Sequence, residues 1–382
     1  MTTSTHFPQE LLSQPPDERL AYFKNKIIAH PKLSDLYTEI LDDINHPVEI
    51  SLIMIYGPTG VGKTTLRKRL ERELLLTAQS DPHRNPGHIP VAGLEVALPG
   101  TSRFNWPDYY RRALKALDEP LIGNKIDYGQ RGIKHNASGE LIFAYTLGVT
   151  NLRQALETAL KHRQPKAFFA DEAQHFNKVP GARRLLDQMD TLKSLAAQTN
   201  TLHVLLGTYE LLALTDLSAQ LSRRSRGVHF PRYQADLPQE MTDFQNVILT
   251  FQRHLPLAQE PDLLQHTSYL YERSVGCVGV LKSWLLRALE LALKSEGQPL
   301  TLEHLKQCAI PTRKLLRFAR EIEEGEAALV EKEAEVAQLR TLLGISSFST
   351  PASKQQSTNG SHKKRRRRVG QRKPVRDTVG VK

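Results

Sequence analysis

Hydrophobic residues in the first two thirds of the chain alternate between short apolar runs and longer amphipathic stretches. The runs have the length of strands, and the stretches repeat hydrophobic residues at helical spacing. This alternation predicts an α/β domain with a parallel sheet. The predicted strands are residues 50–56, 91–98, 167–171, 202–207 and 227–231, and the predicted helices between them are 63–77, 106–117, 151–162 and 182–199.

The pattern changes after Tyr233, where strands stop and helical patterns follow at residues 244–257, 262–275, 280–296 and 301–309. From Leu315 to Leu343, hydrophobic residues recur every seven positions, which predicts a helical arm. Gly325 and Lys332 interrupt the companion line, so the arm either packs on the body or binds a partner helix. The predicted organisation is an N-terminal helical extension (1–48), an α/β domain (49–233), a small helical lid lobe (234–311), a helical arm (312–345) and a disordered basic tail (346–382).

Charge is concentrated at the carboxyl-terminal end of the chain. The formal net charge is +11, but residues 354–382 contain eleven lysines and arginines and one acid, which leaves +1 for the other 353 residues. The tail is rich in Ser, Thr, Gly and Pro, which predicts disorder from Ser346. Its charge favours a polyanion tether, and a solubilising end is the alternative.

Composition excludes several classes of protein. No apolar run approaches the roughly 18 residues that cross a bilayer, and the first 20 residues lack the pattern of a secretory signal. Two cysteines, Cys277 and Cys308, are too few for a disulfide framework or a four-cysteine zinc site. We therefore expect a cytoplasmic protein without membrane contact.

The strongest chemical signal is a complete G-x-x-x-x-G-K-T motif between the first predicted strand and the first predicted helix. In this context backbone N–H groups enclose nucleotide phosphates, a lysine neutralises the β/γ end, and a hydroxyl ligates Mg²⁺. The last two roles fall on Lys63 and Thr64. The predicted ATP-binding residues of the motif are Gly57, Pro58, Thr59, Gly60, Val61, Gly62, Lys63, Thr64 and Thr65.

Polar residues follow two of the later predicted strands. Asp171 ends one strand and is placed to bind Mg²⁺ with Thr64, while the adjacent Glu172 is placed to orient or deprotonate the attacking water. Thr208 follows the next strand and is placed to hydrogen-bond that water or the γ-phosphate. With Lys63 as a catalytic cation, these residues predict ATP hydrolysis.

Three arginines, Arg223, Arg224 and Arg226, precede the last predicted strand. Such a cluster is either a solvated surface or, in an oligomer, the source of an arginine for the γ-phosphate bound by a neighbouring subunit. Arg223 and Arg224 are the preferred candidates. This interpretation predicts a homo-oligomer whose catalytic sites are shared between subunits.

Together, these motifs and the trailing helical lobe resemble an AAA+ ATPase. Within that superfamily, the strings LDQMDTLKSLA (186–196), VLLGTYE (204–210) and QLSRR (220–224) resemble the TnsC/TniB group of bacterial transposition regulators. The resemblance covers roughly residues 33–287. It implies a slow, regulatory, Mg²⁺- and ATP-dependent ATPase that forms a ring or helical filament on duplex DNA.

The same resemblance implies partners and a location. A protein of this group links a TniQ-like target-selection adaptor to transposase subunits, and in some transposons the selector is a CRISPR effector. In related regulators, a loop after the second strand–helix unit contacts the DNA backbone without reading sequence. Here that segment (121–135) contains Lys125, Arg131 and Lys134, and a flexible polar loop is the alternative. The implied location is the bacterial cytoplasm, in association with the nucleoid.

One segment departs from the AAA+ pattern. Many members have a nucleotide-contacting arginine in a Gly-x-x-Arg-like turn of the small lobe, whereas residues 274–282 read SVGCVGVLK. Either Lys282 substitutes for that arginine or the contact is absent.

Two other functions share part of this pattern. A helicase loader or replication-initiator-like protein would have all the same nucleotide motifs and stays an alternative. A small-molecule kinase is disfavoured, because Glu172 suits activation of water and no phosphoacceptor pocket is visible in the sequence.

Overall fold

The chain forms an α/β lobe followed by a helical lobe. The computed structural model describes residues 6–81, 85–98, 103–120, 122, 133–135, 138, 141–143, 149–179, 182–215, 224–294 and 299–345. The strands of this part are β1 (Leu52–Tyr56), β2 (Val91–Glu95), β3 (Ile133–His135), β4 (Leu141–Phe143), β5 (Ala167–Asp171), β6 (Leu202–Gly207) and β7 (Ser225–His229). Its α-helices are α1 (Pro16–Asn25), α2 (Pro31–Asn45), α3 (Lys63–Gln79), α4 (Trp106–Ala116), α5 (Val149–Arg163), α6 (Ala182–Thr199), α7 (Leu212–Thr215), α8 (Pro238–His254), α9 (Thr267–Ser274), α10 (Val278–Lys294), α11 (Leu302–Cys308), α12 (Thr312–Ala327) and α13 (Glu333–Leu342).

A five-stranded parallel sheet organises the α/β lobe, in the order β2-β5-β6-β1-β7. All residues of β1, β5 and β6 are buried, because helices cover both faces. The parallel register aligns Tyr56 at the end of β1 with Gly207 at the end of β6. The loops after β1, β5 and β6 therefore meet at one edge of the sheet.

Side chains alternate between the two faces of the sheet, as the two-residue period of a strand requires. Leu52 and Met54 of β1 pack into one hydrophobic cluster with α4, α5 and α6. Ile53 and Ile55 face the opposite side, where they pack with α2 and α3. The predicted α/β fold with a parallel sheet is confirmed.

A third hydrophobic cluster forms the core of the helical lobe. Trp284 of α10, Phe251 of α8 and Phe23 of α1 are fully buried members of this cluster. The segment predicted as an N-terminal extension is thus divided: α1 packs with the helical lobe, and α2 packs on the sheet.

Most predicted elements are present, with some boundaries moved. The bounds of β5, β6 and α6 are as predicted, but β7 begins and ends two residues earlier than predicted. Helix α8 begins at Pro238, six residues before the predicted start, because proline is well accommodated in the first helical turn. The predicted helix 262–275 is a short 3₁₀ helix (Leu264–His266) followed by α9. The antiparallel pair β3–β4 was not predicted.

The arm is two helices, α12 and α13, rather than the single helix that the seven-residue spacing predicts. Leu315 and Ile322 of α12 are buried, whereas α13 has no buried residue. The hydrophobic residues of the heptad pattern are therefore buried only in its first half, in α12. The chain divides into two compact units, Met1–Leu329 and Val330–Lys382, with α12 in the first and α13 in the second.

Among the described helices, none has both the length and the apolar composition needed to cross a membrane.

Candidate nucleotide-binding site

The glycine-rich motif forms a tight turn between β1 and α3. Gly60 and Gly62 have φ angles of 75° and 125°, a region that side-chain-bearing residues rarely adopt. Helix α3 begins at Lys63, which is only 8% exposed. The Lys63 Nζ atom donates hydrogen bonds of 2.8 Å to the carbonyl oxygens of Gly57 and Pro58. The turn thus curls around its own lysine, as a phosphate-binding loop requires.

Burial sets the electrostatic state of Lys63. Loss of solvent lowers the pKa of its ammonium group to about 8, and the nearby Glu172, Cys277 and Asp171 oppose this decrease. A phosphate group at this position would supply the negative charge that the buried ammonium lacks. Lys63 is therefore suited to an anionic ligand.

Asp171 is buried at the end of β5 and is held from two sides. Its Oδ1 atom accepts a hydrogen bond from the Glu172 backbone at 3.0 Å, and its Oδ2 atom lies 3.7 Å from Nη1 of Arg67 on α3. The same Nη1 atom donates to the Leu94 carbonyl oxygen at 3.2 Å, and the Arg67 Nε atom lies 3.2 Å from Glu71. Arg67 thus fixes the Asp171 carboxylate relative to the helix that follows the phosphate-binding loop.

Glu172 occupies a left-handed backbone conformation, with φ 54° and ψ 35°. Its Oε2 atom accepts a hydrogen bond of 2.6 Å from the side-chain amide of Gln174, whose oxygen accepts one of 3.2 Å from the Thr208 backbone. The Thr208 hydroxyl is buried without a hydrogen-bond partner among the described residues. Hydrogen bonds through Gln174 therefore connect Glu172, which follows β5, to Thr208, which follows β6.

The small lobe touches the phosphate-binding loop directly. The Gly279 backbone N–H, near the start of α10, donates a 2.7 Å hydrogen bond to the Gly60 carbonyl oxygen. A Cβ atom on Gly279 would lie 2.5 Å from that oxygen, and one on Gly60 would lie 2.7 Å from Cγ2 of Val280. Lys282 donates instead to the carbonyl oxygen of Lys24 at 2.7 Å, so its described hydrogen bond is with α1.

Helix α12 packs on the other side of the loop, against the segment after β6. Gly325 faces the ring of Tyr209, and a Cβ atom there would lie 2.2 Å from the ring. Arg232 donates hydrogen bonds of 3.0 and 3.1 Å to the two carboxylate oxygens of Glu326. The Tyr209 hydroxyl is hydrogen-bonded to His229 at 2.9 Å, which fixes the ring.

A cavity of about 450 Å³ lies between α12 and the sheet edge. Pro58 and Thr59 of the phosphate-binding loop line it together with Thr208 and with Phe318 and Ile322 of α12. Thr208 is therefore close to the predicted phosphate site, as a γ-phosphate contact requires.

Arg224, one of the two preferred arginines, lies far from its own phosphate-binding loop. Its carbonyl oxygen accepts from the Ser51 backbone at 3.0 Å, at the start of β1. From Ser51 to Gly57 the strand spans about 20 Å, at roughly 3.3 Å per residue. Arg224 instead lines a larger cavity, about 560 Å³, at the opposite edge of the sheet. Arg223 lies outside the described residues.

Arg226 has a structural role. Its guanidinium is ion-paired with Glu39 and Asp43 of α2 and attaches that helix to β7.

The predicted DNA contacts fall mostly outside the described part of the chain. Lys125 and Arg131 are not described, and neither are residues 346–382 of the basic tail. Lys134 belongs to β3, where only the backbone is described.

The donor set at the sheet edge suits Mg²⁺. Thr64 supplies an exposed hydroxyl at the start of α3, and Asp171 supplies a carboxylate. Both are the oxygen ligands that Mg²⁺ prefers, and this ion typically takes few protein ligands beside phosphates and water. No group of three or more His, Cys, Asp or Glu side chains that could hold a metal occurs among the described residues.

Comparison with known proteins assigns the α/β region. Residues 46–214 match the family model described as AAA domain. Among curated proteins the chain has no match. Similar solved structures include the ORC2 protein of Aeropyrum pernix in ADPNP–ADP complexes, at 15% identity, with 77% of this chain and 73% of that chain covered and a TM-score of 0.49. A Walker-type ATPase of Pyrococcus abyssi is 12% identical, with 83% and 85% covered and a TM-score of 0.42.

Both TM-scores are below 0.5, so neither structure bears on the function. The domain match and the strand order define the α/β P-loop fold of AAA+ proteins. Residues 46–214 therefore form an AAA domain. The matched region contains the phosphate-binding loop, Asp171, Glu172 and Thr208, and it ends before the arginine cluster.

Several residues near the site were missed by the sequence analysis. Arg67 lies one helical turn after Lys63, so helical spacing alone could have suggested it, whereas the role of Gln174 depends on a contact with Thr208, 34 residues away along the chain. Gly279 and Gly325 gave no local signal, because each is required only by a contact with a distant segment.

Proposed function

We propose that the protein is an ATP-dependent regulator of DNA transposition that assembles as a homo-oligomer on duplex DNA. The observation that carries this proposal is the meeting of Lys63, the Asp171–Glu172 pair and Thr208 at one edge of the sheet. The transposition assignment comes from the resemblance of residues 186–196, 204–210 and 220–224 to TnsC/TniB regulators. In this function the protein links a TniQ-like adaptor to transposase subunits.

In the proposed mechanism, the loop from Gly57 to Thr65 binds the triphosphate. Lys63 exchanges two backbone carbonyl partners for phosphate oxygens. Thr64 and Asp171 would hold Mg²⁺, which neutralises phosphate charge when bound. Glu172 orients the attacking water, and Thr208 hydrogen-bonds that water or the γ-phosphate.

The γ-phosphate charge needs one more cation, and we assign it to Arg223 or Arg224 of a neighbouring copy. The position of Arg224, about 20 Å along the strand direction from its own loop, supports action in trans. An arginine supplied in this way contributes about 10³- to 10⁵-fold in rate in characterised systems. Assembly and turnover are therefore coupled.

DNA binding in this proposal is directed at phosphates. Lys125, Arg131 and Lys134 contact the backbone without reading sequence, and the basic tail adds a second, non-specific attachment. Affinity should then fall steeply with salt, at a log–log slope of about −0.9 per phosphate contact.

The test measures ATP hydrolysis and binding to labelled duplex DNA in the same samples. Lys63→Ala should lose ATP binding and DNA assembly, whereas Glu172→Gln should bind ATP and DNA but lose turnover, so that its assemblies persist. Lys68→Ala, at an exposed lysine of the same helix, is the matched control and should behave as wild type. Normal assembly of Lys63→Ala on DNA would contradict the coupling.

The shared site has its own test. Arg223→Ala/Arg224→Ala and Lys63→Ala should each be inactive alone, and their mixture should recover part of the ATPase activity at interfaces that combine intact arginines with an intact loop. Wild-type turnover by the double-arginine variant in dilute, DNA-free solution would show that these arginines have no catalytic role and are ordinary surface residues. Reconstituted insertion with a transposase and a TniQ-like adaptor then separates a transposition regulator from a helicase loader, which would stimulate helicase assembly instead.

A further inference from the structure

A buried side-chain amide joins the second nucleotide motif to the end of the neighbouring strand. Gln174 is 7% exposed and lies in the short 3₁₀ helix Ala173–Asn177, directly after Glu172. Its Nε2 atom donates to Glu172 Oε2 at 2.6 Å, and its Oε1 atom accepts from the Thr208 backbone N–H at 3.2 Å. One side chain therefore contacts two of the residues assigned to hydrolysis.

We propose that Gln174 is a positioning residue for ATP hydrolysis, which holds the Glu172 carboxylate in place and couples it to the end of β6. The inference rests on the proposed role of Glu172 as the residue that orients water. Because Oε2 of Glu172 is bound to the amide, Oε1 is the oxygen left for that water. Gln174 itself touches neither water nor phosphate in this scheme.

The chemistry of an amide explains why glutamine suits this position. An amide donates through nitrogen and accepts through oxygen at the same time. A carboxylate here would repel Glu172, and an apolar residue would leave a carboxylate oxygen and a backbone N–H without partners, which is costly in a buried setting.

The backbone around Gln174 is shaped for the bridge. The left-handed conformation of Glu172 turns the chain immediately after β5 and brings Gln174 back under the strand ends. Gly207, the last residue of β6, provides the space, since a Cβ atom there would lie 2.6 Å from Gln174 Oε1. Rare backbone geometry and a glycine at the contact thus both favour the same hydrogen bonds.

The first experiment replaces the amide and separates binding from turnover. Gln174→Met retains the volume but neither hydrogen bond, and it should lower kcat about tenfold or more with the KM for ATP within about twofold of wild type. A purely structural role would change thermal stability and KM together. Wild-type kcat in Gln174→Met, with Glu172→Gln inactive in parallel, would overturn this inference and leave the proposed function intact.

The second experiment tests the contact by charge. Gln174→Glu keeps the length of the side chain but places a carboxylate next to the Glu172 carboxylate, and like charges at this distance repel each other. Its kcat should therefore fall at least as far as that of Gln174→Met, with the KM for ATP again within about twofold of wild type. Wild-type kcat in folded Gln174→Glu would contradict the contact.

The third experiment breaks the bridge from the other side. Thr208 has φ −77° and ψ 179°, which proline can adopt, so Thr208→Pro removes the N–H donor and Thr208→Ala serves as the control for loss of the hydroxyl. The extra loss in kcat of Thr208→Pro over Thr208→Ala should disappear in the Gln174→Met background, because both changes break one bridge. Full additivity of the two losses would refute the coupling. If Glu172→Gln hydrolyses ATP at the wild-type rate, the proposed role of Glu172 fails first, and this inference fails with it.

Discussion

Two helical segments approach the phosphate-binding loop through a glycine, but they use different kinds of contact. The small lobe contacts it through a backbone hydrogen bond of 2.7 Å from the Gly279 N–H to the Gly60 carbonyl oxygen. Helix α12 contacts the neighbouring segment through side chains, with Gly325 against the Tyr209 ring and an ion pair between Arg232 and Glu326.

The difference determines how each contact can change. A side chain added at Gly279 would meet a backbone oxygen, which cannot be trimmed to make room, so a substitution at Gly279 has no simple compensation. The α12 contact has a removable ring, that of Tyr209, and a removable ion pair between Arg232 and Glu326. The first contact is therefore rigid, and the second can be adjusted.

The largest expected effect comes from Gly279→Ala. The added Cβ atom would lie 2.5 Å from a backbone oxygen, so the start of α10 must move away and the hydrogen bond to Gly60 is lost. We expect about 3 kcal/mol, or roughly a hundredfold loss of ATP affinity, at the upper end of overpacking costs. Titration with a fluorescent ATP analogue measures it. Ser283→Ala, at an exposed position of the same helix, is the control, and equal affinities in the two variants would show that this contact does not shape the site.

A smaller effect is expected from Gly325→Val, at about 2 kcal/mol of unfolding free energy. Because its obstacle is a side chain, Tyr209→Ala should restore part of the loss when combined with it. Denaturant unfolding of the two single variants and the double variant gives the interaction free energy directly. Additive losses would show that α12 does not rest on the Tyr209 ring.

The smallest effect is a pH dependence that belongs to the phosphate-binding loop alone. Burial holds the pKa of Lys63 at about 8 without nucleotide, and bound phosphates would raise it. Binding then takes up a proton as the pH rises past 8, so ATP affinity is nearly constant up to about pH 7, about twofold weaker at pH 8 and about tenfold weaker at pH 9. Gly325→Val should retain this dependence. Lys63→Arg should bind ATP more weakly but with a flat profile between pH 7 and 9, because a guanidinium does not titrate there; an equal slope in that variant would assign the proton to another group.

The sequence predicted the sheet and the motif residues because their signals are local. The runs that became β1, β5 and β6 are buried on both faces, and the loop from Gly57 to Thr64 combines a strand, glycines and a helix start within a few residues. The two-part arm could not be predicted, since Leu315 and Val336 share one heptad pattern although only Leu315 is buried. The role of Gln174 could not be predicted either, because it depends on a hydrogen bond with Thr208, 34 residues away along the chain.

The Gly60–Gly279 hydrogen bond has a thermodynamic consequence beyond local packing. It connects the loop that would enclose the phosphates to two hydrophobic cores, one between the sheet and helices α2 and α3, and one around Trp284. The coupling is reciprocal. If docking of the lobe increases nucleotide affinity by a given free energy, bound nucleotide stabilises the docked lobe by the same free energy. In the proposed assembly, a neighbouring copy or bound DNA that moves the small lobe away from the loop would therefore weaken nucleotide binding without contacting the nucleotide.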